Sequence, residues 1–241
     1  MERSRVRRFG VKAVVCAVSC VSLFGGSPLG AAPSTNPIEL EATSEAPGVV
    51  IFPARVPGPH PITVLLHGMC GDAARACSHF ADQVTQTSNL VCPRASARCS
   101  GGGASWPETG VAEAVEAAVM RAKGALPEVD ETHGRTLIGY SLGAYRAVNI
   151  AHASGSKYPR VMLIGARVSL DRARLVQNGT ERVLLCAGAW DMTHDPMQRE
   201  AERMRRTGFQ ARFLDLGPVG HAFAPSFAEH LPQALSWLNG A

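Results

Sequence analysis

From residue 48 onward, short apolar runs alternate with longer segments whose apolar residues recur every three or four positions. The runs at 48–56, 62–66, 89–92, 136–140, 160–165, 181–187 and 209–216 predict strands. Ile62-Thr63-Val64-Leu65-Leu66 is almost wholly apolar, which suits a strand covered on both faces. The intervening segments at 73–87, 108–123, 144–153, 169–178, 194–207 and 225–238 have helical character. The clearest is 108–123, with Val111, Val115, Ala118 and Val119 on one stripe. Asp72 is placed to cap the first helix, and Gly179 and Gly208 close two later ones. Turn residues separate the elements, as in Pro57-Gly58-Pro59-His60-Pro61 and the Gly-rich stretch Ser100 to Pro107.

Strands alternating with helices predict an α/β domain, a mostly parallel sheet with helices on both faces. The segment between Gly165 and Glu181 is too short for a large cap domain. In such sheets ligands bind beyond the carboxyl ends of the strands. The chain ahead of this domain has a different character. Residues 1–31 carry Arg3, Arg5, Arg7, Arg8 and Lys12, then an apolar stretch from Ala13 to Phe24 and small residues at Ala31 and Ala32. This is the form of a bacterial-type signal peptide, and the apolar run is short for a membrane span. Residues 32–47, rich in Pro, Ser and Thr, read as an N-terminal arm, and 48–241 as the α/β domain. The expected address is secreted or periplasmic. Ala17-Val18-Ser19-Cys20 is a poor lipoprotein box, which leaves lipidation at Cys20 as a minor variant.

The leader also changes the charge. The chain has 24 basic and 20 acidic residues, a formal +4. Residues 1–31 hold five of the basic and one of the acidic, leaving 19 of each. A neutral mature chain without a basic, aromatic-interleaved stripe gives no support to a nucleic-acid partner. Five cysteines lie beyond the leader. Export favours disulfides, and the equal seven-residue spacing of Cys70/Cys77 and Cys92/Cys99 suggests those two pairs, although sequence does not fix connectivity. Cys186, inside Val183-Leu184-Leu185-Cys186-Ala187, reads as a buried thiol. Neither Cys-x-x-Cys nor paired-His spacing supports a metal site, and no cofactor is implied.

The chemistry concentrates at strand ends. Gly139-Tyr140-Ser141-Leu142-Gly143 falls between a predicted strand and a predicted helix, the context a nucleophile elbow needs. Met69, Asp191 and His221 also follow predicted strands, so four candidates converge on one sheet edge. A serine hydroxyl is a weak nucleophile until a base takes its proton, and that base needs an orienting partner. The roles follow: Ser141 attacks, His221 is the base, and Asp191 fixes its tautomer, with Asp195 the competing acid. An oxyanion hole needs two donors, expected from the N–H groups of Leu142 and Met69, with Cys70 as the neighbour of the latter. His67 is expected to be a structural loop residue. A Cys70–Cys77 bridge would hold the Met69 loop in shape. Trp106 and Trp190 either line the substrate pocket or pack loops, whereas Tyr140 and Trp237 are expected to pack.

Taken together, His67-Gly68, Gly139-Tyr140-Ser141-Leu142-Gly143, Gly188-x-x-Asp191 and Gly220-His221 resemble the α/β-hydrolase superfamily over residues 48–240. The lid-poor layout is similar to the dienelactone hydrolase and small carboxylesterase branches. Dienelactone hydrolases use a cysteine nucleophile where this chain has Ser141, which favours an esterase-like reading. The resemblance implies cleavage of small-molecule or polymer-linked carboxylic esters through an acyl-enzyme. A peptidase or acyltransferase on the same triad is the alternative within enzymes, and a non-catalytic binding protein on a hydrolase scaffold the alternative outside them.

Overall fold

The computed structural model describes residues 36–155, 157–223 and 227–240. The predicted leader lies outside them. Among the described residues, ten strands and six helices follow in chain order. The strands are β1 (Ile38–Leu40), β2 (Val49–Phe52), β3 (Ile62–Leu66), β4 (Asn89–Pro93), β5 (Ala97–Arg98), β6 (Ala104–Ser105), β7 (Thr136–Tyr140), β8 (Arg160–Ile164), β9 (Arg182–Ala187) and β10 (Gln210–Asp215). The helices are α1 (Ala73–Val84), α2 (Val111–Ala125), α3 (Leu142–Ala151), α4 (Arg172–Gln177), α5 (His194–Arg206) and α6 (Phe227–Asn239).

Eight strands form one sheet in the order β1-β2-β4-β3-β7-β8-β9-β10. From β4 to β10 every pairing is parallel; β1 and β2 join antiparallel at one edge. All five residues of β3 are buried, as an apolar run without alternation requires. α2, α3 and α5 cover one face through residues such as Val115, Ala147 and Met197. α1 and α6 cover the other through Phe80 and Leu231. Asp72 accepts the Arg75 N–H at 2.8 Å and starts α1 as expected.

Two elements were not foreseen. Ile38–Leu40, within the predicted arm, pairs with β2. The Gly-rich stretch forms the β5–β6 hairpin, tied to the loop after β3 where the Ala104 N–H donates to the Gly71 carbonyl at 3.0 Å.

The cysteine pairing is corrected. The bridges are Cys70–Cys99, with Cα atoms 5.7 Å apart, and Cys77–Cys92, with Cα atoms 6.4 Å apart. Equal spacing misled because α1 intervenes. It carries Cys77 away from the loop at about 1.5 Å per residue and turns it onto the buried face, against β4 and Cys92. Cys70 stays in the loop and meets the hairpin instead. Cys186 is free and fully buried, and burial pushes its thiol pKa up.

Candidate active site

The strand–turn–helix at Ser141 is tight. Ser141 itself has φ 53° and ψ −118°, a backbone that L-residues adopt at a cost of about 1–3 kcal/mol. The strain is held by β8, whose Ile164 carbonyl accepts the Ser141 N–H at 2.8 Å. α3 then runs back so close to β3 that a methyl on Gly143 would overlap the Leu66 carbonyl oxygen. Only glycine fits there. The hydroxyl is thereby presented at the carboxyl edge of the sheet.

His221 and Asp191 arrive on two loops that are bonded to each other. The loop after β9 donates its Ala189 N–H to Gly217 O at 2.8 Å and its Trp190 N–H to Val219 O at 3.0 Å, both in the loop after β10. His221 Nδ1 lies 2.7 Å from Asp191 Oδ2, and Nε2 lies 2.9 Å from Ser141 Oγ. A carboxylate only accepts, so Nδ1 carries the proton and the Nε2 lone pair faces the serine hydroxyl. The other Asp191 oxygen accepts the Thr193 N–H at 2.8 Å. Burial works against the Asp191 charge, but the Thr193 and His221 hydrogen bonds outweigh it and hold the carboxyl below its usual pKa. Gly165, at φ +62°, ends β8 beside this pair: a Cβ there would stand 2.9 Å from His221 Cε1. Asp195 is exposed and bonds His194 Nδ1 at 2.9 Å, away from the triad candidates.

The opposite wall is the loop after β3. A Cβ on Gly68 would lie 3.3 Å from that of Ser141, which places this loop beside the serine. Among the described residues the N–H groups of Met69 and Leu142 donate to no other group. His67 is buried; its Nδ1–H donates to the Gly68 carbonyl at 2.8 Å, and Nε2 accepts the Ala95 N–H at 3.4 Å. Burial lowers its pKa, against the Gly68 carbonyl and the Asp72 charge, so it is a neutral brace. Trp106 is only 4% exposed and donates its indole N–H to the His67 carbonyl at 2.8 Å, beneath the loop. Trp190 is 75% exposed beside Asp191. Trp237 packs, partly buried, against the core on the α6 face.

Sequence reasoning missed two supports. Tyr140 donates its hydroxyl to the His221 carbonyl at 3.0 Å and stacks on the imidazole. Thr193 is the other; its signal was the Asp-x-Thr spacing, a side-chain turn that anchors the carboxylate. Tyr140 had no local signal, because its partner comes from 81 residues away.

No protein-family model matches the chain, and no curated protein matches it in sequence. Solved structures do match. The fluorophosphonate-binding serine hydrolase F of Staphylococcus aureus aligns over 86% of this chain and 99% of its own, with TM-score 0.64 and 14% identity. Poly(aspartic acid) hydrolase-1 from Sphingomonas sp. KT-1 covers 86% of this chain and all of its own (100%), with TM-score 0.60 and 12% identity. The fold is that of the α/β-hydrolases. Acyl-protein thioesterase 2 of Zea mays shares it over 80% of this chain and 99% of its own, with TM-score 0.53 and 21% identity. At these identities the likeness is one of α/β-hydrolase architecture, and the chemistry rests on the residues. Among the described residues no group of three or more His, Cys, Asp or Glu is placed to hold a metal.

Proposed function

We propose that this protein is an exported serine hydrolase that cleaves carboxylic esters through an acyl-enzyme. The observation that carries the reading is the hydrogen-bonded chain Ser141 Oγ–His221–Asp191 at the carboxyl edge of the sheet. His221 takes the serine proton as Oγ attacks the ester carbonyl, and Asp191 stabilises the imidazolium. The N–H groups of Leu142 and Met69 receive the developing oxyanion. His221 next gives its proton to the leaving alcohol, and a water activated by the same base releases the acid. Export is supported by the charged and apolar leader and by the two disulfides.

The test is fluorophosphonate labelling of the mature protein beside Ser141→Ala, followed by 4-nitrophenyl esters of short and long chains. Labelling and turnover in the wild type, both lost in the variant, are expected. A folded wild type that takes no label and cleaves no ester removes the hydrolase reading and leaves a binding protein on this scaffold.

A further inference from the structure

One flank of the candidate triad carries an unneutralised cation next to exposed aromatic and thioether surface. Asp191 shares a cavity of about 460 Å³ with Trp190, Met192, Arg167, Asp195 and Arg199. Trp190 is 75% and Met192 77% exposed, which is unusual for side chains of their size on the two sides of a buried carboxylate. Arg167 stands two residues beyond Gly165, the residue that abuts His221 and Asp191. Its backbone N–H donates to the Tyr145 hydroxyl at 3.1 Å, one turn of α3 after Ser141, so its position is set by the elbow helix. Among the described residues its guanidinium forms no ion pair, and its hydrogen bond there is a long one of 3.5 Å to the Met192 carbonyl.

The charges around it are equal in number but unevenly engaged. Arg199 lies one turn after Asp195, which His194 also holds, so the acid in this cavity is already matched. Asp191 is spent on His221 and Thr193. The first turn of α5 lines the same space and adds the partial positive charge of a helix start. The two arginines and two aspartates of this cavity balance in formal charge. Arg167 is the one whose guanidinium no carboxylate engages among the described residues, and so it is the group left to bind an anion. Its flat guanidinium matches a carboxylate in two-point contact, and Trp190 beside it offers a face for an aromatic or extended apolar spacer.

We propose that Arg167 and Trp190 form a subsite for esters that carry a carboxylate on an aromatic spacer, either on the acid or on the alcohol arm. This deepens the esterase reading and rests on it for the ester, though not for the anion. Turnover should favour the charged member of a matched pair. 4-Carboxyphenyl acetate against 4-carbamoylphenyl acetate tests the alcohol arm, and monomethyl terephthalate against methyl 4-carbamoylbenzoate tests the acid arm. The wild type is expected to prefer the carboxylate in one pair by roughly five- to tenfold in kcat/KM, mainly through KM. Arg167→Gln brings that ratio to about one, Arg167→Lys retains part of it, and Arg206→Gln, on a remote turn of α5, leaves it in place.

Binding gives a readout independent of turnover. Terephthalate, followed by calorimetry, is expected to bind Ser141→Ala and not the Ser141→Ala/Arg167→Gln double variant. A wild-type ratio near one in both pairs, or a preference that survives Arg167→Gln, overturns the subsite, as does terephthalate binding indifferent to Arg167. Arg167-dependent binding by a protein that takes no fluorophosphonate and cleaves no ester upholds the subsite and removes the hydrolase reading instead.

Discussion

The two walls of the site are built by different means. On the Ser141 side, position comes from close backbone packing and hydrogen bonds: a strained serine tied to β8, a glycine jammed against β3, and two loops bonded to each other that bring Asp191 and His221 together. On the Met69 side, the loop adds a covalent tie to its noncovalent ones. It is held by the Cys70–Cys99 bridge to the β5–β6 hairpin, by Ala104 N–H on Gly71, and by Trp106 beneath His67. One wall is fixed by noncovalent packing that reaches into the core, and the other is stapled at its rim. Chemical reduction should therefore distinguish them, and so should acid.

The largest effect is expected on the packed wall. Asp191→Asn leaves the shape but turns a pure acceptor into a group that also donates, which favours the wrong imidazole tautomer. A loss of about 10⁴ in kcat follows, with folding retained. A loss below tenfold would assign the orienting role elsewhere and dissolve the contrast between the walls.

Acid comes next. A histidine base predicts turnover that falls about tenfold per pH unit once the imidazole is protonated. The carboxylates behave differently. Burial disfavours the charge of Glu116, yet hydrogen bonds from Arg135 and Tyr158, both at 2.9 Å, keep its pKa low, and Asp191 and Glu200 are likewise held low. A depressed folded-state pKa gives stability that is fully present above the unfolded value, about 4.3 for Glu and 3.9 for Asp, and is lost only as pH falls through the folded value. The fold should thus keep its thermal midpoint on acidification to about pH 4, so that a fall in turnover above that pH belongs to the site and not to the fold. Parallel pH profiles of turnover and of thermal midpoint check this; coincident losses would mean that unfolding, not the base, sets the acid limb.

What the sequence revealed and what it hid divide along the same line. The serine elbow was legible because its requirements are local: an apolar run, two glycines around Ser141, a helix at once. Asp191 and His221 were legible because a parallel sheet places every strand end on one edge, so position along the chain stood in for position in space. The stapled wall was not. Cys70 and Cys77 look like partners until α1 is built, and a two-residue hairpin such as β5–β6 has too few residues to show a period. Ile38–Leu40 was hidden for a similar reason: three residues gain a strand only from the β2 edge they pair with.

The staple yields a smaller effect than the Asp191 substitution. Cys70→Ser/Cys99→Ser frees the rim of the Met69 loop while Cys77–Cys92, which closes a 15-residue loop and contributes about 3 kcal/mol, stays in place. The expected result is kcat lowered about tenfold with KM little changed, since an oxyanion donor acts on the transition state rather than on bound substrate. Reduction with a dithiol should mimic it where the Cys77–Cys92 bridge, buried on α1 and β4, survives. Unchanged turnover with the bridge demonstrably open would show that Trp106 and the hairpin bond suffice to hold the loop.

The smallest effect tests the junction of the two His221 supports. Tyr140 holds the histidine backbone through its hydroxyl and stacks on the ring, and Phe223, 4.3 Å from the Tyr140 ring, carries this contact into the Phe80–Phe227 cluster over α1. Tyr140→Phe deletes the hydrogen bond and keeps the stack. A bond to an uncharged carbonyl at the surface contributes about 0.5–1.5 kcal/mol, so a two- to tenfold fall in kcat with KM unchanged is expected. The pH profile separates positioning from mere destabilisation. If Tyr140 places the imidazole, the variant keeps the shape of the acid limb and loses height at every pH, and its thermal midpoint moves little. If the whole deficit instead tracks a lower midpoint, the hydroxyl is a brace for the loop alone, and the packed wall owes its alignment to the backbone bonds between the Asp191 and His221 loops.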